Sequence, residues 1–269
     1  MKFRFSSVPY IVWSVIFVVV PLILVAVFGL STSDGQFTFA NVAKVSDYTA
    51  VFVRSIWLSL VATAICLVIA YPLGFIMSRY NANNQRTLVM LVMLPMWMNF
   101  LIRTYSIMAI LEDTGFLNSL LGRIGLPPLH IINTGGAVIF GMVYNYLPYM
   151  VLPIYTVLSK LDNRLLEASA DLGCTPMQTF FKVVMPLSRS GVVSGVTMVF
   201  VPSVSTFYIS QKLGGGKFQL IGDVIERQFQ SAYNYNLGAA MSLVLMVLIL
   251  LSLAVMNRYS DEEEGGLVA

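Results

Sequence analysis

Charged residues are scarce in this sequence. Only 11% of its 269 residues are Asp, Glu, Lys or Arg, whereas 57% are hydrophobic. A typical soluble domain has about 25% charged residues, so water is not the main solvent of this chain. The formal net charge of +3 is small and spread over loops, which excludes the clustered basic face of a nucleic-acid-binding protein.

Acidic residues are missing from all the long hydrophobic stretches. Six windows are each long enough for a helix to cross a bilayer, which takes about 20 residues: roughly 10–30, 55–78, 88–111, 136–158, 190–209 and 236–257. Intramembrane carboxylates are typical of proton-coupled carriers, so their absence argues against a secondary transporter and an intramembrane acid–base enzyme. Runs such as 241–255 are too long for barrel strands. We therefore expect an all-α, polytopic membrane protein with six transmembrane helices and one domain, 1–269.

Few residues could carry catalytic or metal chemistry. Cys66 and Cys174 fall in a predicted span and a predicted cytoplasmic loop, where a structural disulfide is not expected. The single histidine, His130, cannot assemble a metal cluster. The tract 214–217 lacks the first glycine and the final Ser or Thr of a phosphate-binding loop. We expect no catalytic residue, no metal and no cofactor in this chain, so any ATP must be hydrolysed elsewhere.

Basic residues give a weak indication of orientation. Lys2 and Arg4 precede the first window, whose apolar stretch is too long for a signal peptide and lacks a cleavage site, so we interpret it as an uncleaved anchor. With the N-terminus inside, nine Lys and Arg face the cytoplasm and six face outward, Arg103 set aside. Both termini are then cytoplasmic.

A polar segment, residues 160–189, connects the fourth and fifth windows. Asp162 is expected to cap a helix starting at Asn163, and Gly173 to end it, because glycine accepts the left-handed conformation. A second helix should begin at a T-x-x-Q capping box and end before the fifth window. Residues at helical spacing predict an amphipathic first helix: Leu161, Leu165, Ala168 and Leu172. The capping box and the predicted stop are formed by Thr175, Pro176, Gln178 and Pro186.

The same segment resembles a known signature. Residues 167–173 read EASADLG, and VVMP follows after nine residues. This pattern is similar to the E-A-A-x-x-x-G-x9-I-x-L-P motif of permease subunits of ABC importers, with departures at Ser169, Val183 and Met185. The resemblance implies that this segment docks onto an ATPase through the following residues: Glu167, Ala168, Ser169, Ala170, Asp171, Gly173 and Pro186. The alternative is an ordinary amphipathic loop on lipid headgroups.

Polar side chains recur in the third to fifth windows and favour a shared polar pathway. They are Asn99, Arg103, Tyr105, Tyr144, Asn145, Tyr146, Tyr149, Ser203, Ser205 and Tyr208. Arg103 either faces protein or water inside the membrane or snorkels to the outer interface. Acidic residues at an outer mouth are Glu112, Asp113, Asp223 and Glu226. Acids and tyrosines together would suit a polyamine, although loop acids and belt tyrosines explain them equally.

Nearly the whole chain resembles the PotB type of permease in spermidine/putrescine ABC importers. The matching segments outside 167–186 are 94–95 with 103–105, 200–202, 213–216 and 221–222. The resemblance implies a bacterial plasma membrane protein that works by alternating access with several partners. These are a second homologous permease, two ATP-binding subunits that hold ATP and Mg, and an extracellular substrate-binding protein. Import of another small solute, or an ATP-independent channel or carrier, are the alternatives.

Overall fold

Helices form all the regular elements that the computed structural model describes, which covers residues 8–32 and 35–264. Ser31 and Phe37 form an isolated antiparallel bridge, and Lys2 and Arg4 lie outside the described residues. The helices are α1 (Val8–Gly29), α2 (Ala40–Ser78), α3 (Ala82–Trp97), α4 (Phe100–Leu111), α5 (Phe116–Arg123), α6 (Gly135–Leu158), α7 (Asn163–Asp171), α8 (Pro176–Leu187), α9 (Arg189–Ser205), α10 (Tyr208–Leu213), α11 (Ile221–Gln230) and α12 (Tyr235–Glu264).

The predicted all-α membrane architecture is confirmed, but two windows are not straight spans. Within the described residues, α1, α2, α6 and the Tyr235–Met256 part of α12 are long and apolar enough to cross a membrane. Two bent pairs bring the candidate spans to six: α3 with Phe100–Arg123, and α8 with α9. The bends are 89° and 67°. Hydropathy alone cannot distinguish a bent pair from a continuous helix.

The bend in the third window has a local cause. Pro95 lies near the end of α3, and Met98 and Asn99 adopt extended ψ angles of 145° and 131°. The Asn99 side chain then accepts hydrogen bonds from the backbone N–H groups of Leu101 (2.8 Å) and Ile102 (3.4 Å), which starts α4. Asparagine is a favoured N-cap. The predicted continuous helix over 88–111 is therefore wrong, because a cap interrupts it.

The fifth window also ends earlier than predicted. Helix α9 stops at Ser205, Thr206 is extended, and Tyr208 begins the separate helix α10. Gly222 of α11 packs closely against this break, since a Cβ there would lie 2.6 Å from the carbonyl oxygens of Ser205 and Thr206. A residue without a side chain permits this approach.

Small residues let α9 pack closely against α6. A Cβ on Gly191 would lie 3.0 Å from the Pro153 carbonyl oxygen, and one on Gly195 would lie 3.1 Å from that of Met150. Gly191 and Gly195 form a G-x-x-x-G spacing, in which small residues let two helix backbones approach closely. The core formed around α2, α6 and α9 holds the two spans on either side of residues 160–189 in fixed contact.

Candidate coupling site and transport pathway

Residues 160–189, hereafter the loop module, form the predicted helix, glycine turn and second helix. Asp162 Oδ1 accepts a hydrogen bond from the Arg164 N–H at 2.9 Å and so caps α7. Gly173 has φ +80°. Its N–H donates to the Ala170 carbonyl (2.8 Å), and the Cys174 N–H donates to the Ser169 carbonyl (3.0 Å). These two bonds make a Schellman motif, so the prediction that Gly173 ends the first helix is confirmed.

The second helix of the module begins as predicted and ends differently. Thr175 Oγ1 accepts from the Gln178 N–H (3.3 Å), while Gln178 Oε1 accepts from the Thr175 N–H (2.9 Å), which completes the capping box. Pro186 does not end this helix, because α8 continues to Leu187. A wide π turn at Phe180–Val184 comes directly before. Proline would otherwise clash with the carbonyl four residues earlier, and a wider turn accommodates it.

One face of α7 points away from the protein. Leu165 and Leu172 are 46% and 84% exposed, and Ala168 lies between them on the same helical face. Met177 and Phe181 of α8 are also exposed. An apolar surface of this kind on a polar connection is typical of an interaction site.

Ser169 is the member of the motif that does not face outward. Its side chain is buried, donates to the Leu166 carbonyl at 2.8 Å, and lies 2.8 Å from Thr179 Oγ1. The expected contact of Ser169 with a partner is therefore wrong, because this hydroxyl holds α7 against α8. The other predicted docking residues of α7 and its turn are exposed: Glu167, Ala168, Ala170, Asp171 and Gly173. Pro186 is half-buried.

Several contacts fasten the loop module to α2. Arg79, the residue directly after α2, donates from Nη1 to Asn163 Oδ1 at 2.6 Å, and the hydroxyls of Tyr71 and Ser188 lie 2.5 Å apart. The Phe180 ring packs edge-on against Tyr71 at 5.3 Å between centroids. The module is thus attached at its start, its middle and its end, and displacement of the module would move α2.

Four of the predicted pathway residues form hydrogen bonds within their own helices. Asn99 is the N-cap of α4. Asn145 is buried and donates to the Gly141 carbonyl (2.8 Å), and Ser203 is buried and donates to the Val199 carbonyl (2.6 Å). Ser205 donates to the Val201 carbonyl at 3.2 Å. Short polar side chains commonly bond to the preceding helical turn, so a polar residue in a span need not line a pathway.

Arg103 is buried, as the first of its two interpretations required. It is 5% exposed, and Nη1 donates to the Pro95 carbonyl at 2.8 Å across the bend between α3 and α4. Burial in protein favours the first interpretation, because the guanidinium is held between α3 and α4.

The tyrosines form two groups. Tyr146 and Tyr149 of α6 have ring centroids 6.4 Å apart, and the Tyr146 hydroxyl donates to the Pro202 carbonyl of α9 at 3.5 Å. Tyr144 and Tyr149 are 39% and 38% exposed. The second group joins two helices: Tyr105 of α4 packs edge-on against Tyr208 of α10, with centroids 5.9 Å apart.

A lysine that sequence reasoning missed completes the second group. Lys212 Nζ lies 5.1 Å from the centroid of the Tyr105 ring and 5.8 Å from that of Tyr208. Tyr208 and Lys212 are four residues apart on α10, a spacing that places them on one helix face. This four-residue spacing could have indicated from the sequence that Lys212 lies beside Tyr208.

The four acidic residues of the predicted outer mouth do not form one group. Asp223 is buried, and its Oδ2 accepts from the Leu220 N–H at 2.7 Å at the start of α11, so its place on an open mouth is wrong. Burial raises the pKa of Asp223 to about 6. Glu226 bonds the Gln211 amide, and Asp113 lies 2.9 Å from His130 Nδ1. Glu112 is exposed.

Comparison with known proteins identifies the family. Residues 70–262 match the model described as binding-protein-dependent transport system inner membrane component. The chain belongs to this family. It is 40% identical over 256 residues to the spermidine/putrescine transport system permease protein PotB of Haemophilus influenzae, which covers 91% of this chain and 90% of that one. The PotB protein of Escherichia coli K12 is 37% identical over 258 residues, covering 92% and 94%.

A solved structure confirms the fold of this transport component. The bacterial alginate ABC transporter in complex with alginate pentasaccharide-bound periplasmic protein has a chain that covers 96% of this one, with 93% of that chain covered. The TM-score is 0.76 at 16% identity, which shows a shared ABC importer permease fold. The family region, 70–262, includes the loop module and both tyrosine groups.

Proposed function

We propose that this chain is the membrane-spanning permease subunit of an ATP-driven ABC importer for spermidine and putrescine. Identity of 37–40% over nine-tenths of the chain to permeases named for these substrates carries the proposal. The buried Arg103 and the tyrosine groups are compatible with a polar route through the bundle. We propose Arg103, Tyr105, Tyr144, Tyr146, Tyr149 and Tyr208 as its residues.

The loop module is proposed to receive the mechanical input. Its exposed face, formed around Leu165, Ala168 and Leu172, would enter a groove of an ATP-binding subunit, and Glu167 would pair with a basic or backbone donor there. Because the module is fastened to α2 by Arg79 and Tyr71, closure of the ATPases would reorient the spans. The transporter would then alternate between inward-facing and outward-facing states.

The proposal includes partners and orientation. A second homologous permease, two ATP-binding subunits and an extracellular substrate-binding protein complete the importer. ATP and Mg are held by the ATP-binding subunits, and this chain performs no catalysis. Both termini and the loop module face the cytoplasm of a bacterium, since ATP is available there.

Uptake into proteoliposomes tests the function. The reconstituted importer should accumulate radiolabelled spermidine only with its binding protein and internal ATP. Accumulation by this chain alone would support an ATP-independent channel or carrier instead. If the soluble receptor binds another solute and not a polyamine, the importer assignment stands and the substrate assignment falls.

A further inference from the structure

The Tyr105 and Tyr208 rings share one ammonium group supplied by the protein itself. Lys212 Nζ lies 5.1 Å and 5.8 Å from their centroids, within the distance of about 6 Å at which an aromatic face attracts a cation. The rings stand nearly perpendicular, at 79°. Two aromatic groups on different helices therefore converge on a single cation.

Carboxylates do not explain the position of this ammonium. Among the described residues, Lys212 makes no ion pair. The acidic residues of the neighbouring α11 are engaged elsewhere, Asp223 with the Leu220 N–H and Glu226 with Gln211. Tyr105 is 45% exposed, so the aromatic pair is accessible from outside this chain.

We propose that Tyr105 and Tyr208 form a binding site for a primary alkylammonium ion, that Lys212 is its resident occupant, and that the substrate's ammonium group displaces it. The identification of that substrate as a polyamine rests on the proposed function. The exchange is between two similar groups. A lysine side chain carries a primary ammonium on four methylenes, and 1,4-diaminobutane carries the same ammonium on a chain of four methylenes. When the substrate displaces it, the Lys212 ammonium moves into water. Its return would expel the substrate, because the two cations repel each other and compete for the same rings.

Equilibrium binding to the assembled importer in nanodiscs, without the substrate-binding protein, tests this competition. The probes are radiolabelled putrescine and n-butylammonium, with n-butanol as the uncharged control. Lys212→Gln should bind both cations about two- to fivefold more tightly, the range expected for losing an exposed cation–π competitor. Lys217→Gln removes an equal charge from the exposed turn after α10 and should leave binding unchanged. Equal affinities for Lys212→Gln and Lys217→Gln would overturn the proposal.

A double-mutant cycle separates occupancy of the rings from simple charge repulsion. Tyr105→Leu removes one ring and should weaken binding, while Tyr105→Phe keeps the ring and should weaken binding less than Tyr105→Leu. In the Tyr105→Leu background, Lys212→Gln should no longer increase affinity, because the shared site is lost. If the increase persists there, the lysine acts by repulsion alone and the proposed site is refuted. Copurification with the partner subunits confirms that each variant is folded.

The result is distinguishable from failure of the proposed function. If the importer does not accumulate spermidine but Lys212→Gln binds n-butylammonium more tightly, the alkylammonium site stands and the polyamine assignment falls. If uptake is normal and Lys212→Gln shows no gain, the polyamine importer stands and the displacement mechanism falls.

Discussion

Gly173→Val should lower ATP-driven uptake about two- to sixfold while leaving the spans inserted. Gly173 has φ +80°, and a Cβ there would meet nothing within 4 Å, so the substitution acts through the backbone and not through a clash. A left-handed conformation costs an L-residue about 1–2 kcal/mol. The competing outcome, opening of the turn, loses the two Schellman hydrogen bonds, together about 1–3 kcal/mol. These magnitudes are comparable.

The strained turn and the opened turn would therefore both be populated. If the strain equals the cost of opening, about half of the modules keep the native turn, and if the strain exceeds that cost by about 1 kcal/mol, about one in six keeps it. Uptake should fall about two- to sixfold with that fraction if the module transmits force. Radiolabelled uptake, ATPase activity stimulated by the binding protein, and the yield of assembled complex would be measured together. Gly173→Asn should retain more uptake than Gly173→Ala, and Gly173→Val least, because asparagine tolerates this conformation best.

Gly125 provides a matched control for this test. It has φ +76°, a Cβ there would also meet nothing within 4 Å, and it lies after α5, outside the loop module. Gly125→Val should impose similar strain without reducing uptake. If both valine variants reduce uptake equally, or if Gly173→Val transports normally, the coupling argument is refuted.

Three further predictions concern stability of the purified assembly. Asp223→Asn should raise the apparent Tm at pH 7 but not near pH 4. Because the pKa of Asp223 is raised to about 6, the folded assembly is most stable below the ordinary pKa of 3.8, where this carboxyl is neutral. It loses roughly 3 kcal/mol of stability as pH rises through 6. Gly195→Val should destabilise the assembly by about 1–3 kcal/mol through overpacking and so lower its Tm, because its Cβ position is 2.7 Å from Met150 Sδ. Ser169→Ala and Thr179→Val should show a coupling energy of about 0.5–1.5 kcal/mol in a double-mutant cycle, since their hydroxyls lie 2.8 Å apart.

Each stability prediction has a control or a contradicting result. Glu112→Gln changes an exposed carboxylate and should not alter the pH dependence; an unchanged profile for Asp223→Asn would contradict the assigned pKa. Ser194 lies on the exposed side of the same helix as Gly195, so Ser194→Val should leave the Tm unchanged. Additive effects of Ser169→Ala and Thr179→Val would show that the serine does not hold α7 against α8.

Local features were predictable because their causes lie within a few residues. The cap at Asp162, the box at Thr175 and Gln178 and the turn at Gly173 depend on hydrogen bonds spanning two to five residues. The bend at Asn99 was equally local and could have been recognised from the proline and the cap. A hydropathy window did not reveal this bend, because the average is the same for a straight helix and for a bent pair of helices.

Burial and long-range pairing required the tertiary structure. Ser169 and Ala168 are adjacent small residues in one motif, yet packing of α7 on α8 buries the first and exposes the second. The sequence predicted an exposed loop position for Asp223, whereas the packing of α11 buries it.

Composition and local pattern were sufficient to predict an all-helical membrane protein with a capped helix, a glycine turn and a second helix between two spans. These properties follow from composition and from contacts within one or two helical turns. Packing in three dimensions was needed to show which motif residues are exposed and that Lys212 lies over Tyr105, more than one hundred residues away along the chain. Helices that are distant in sequence meet through packing of their whole surfaces, and no local pattern contains that information.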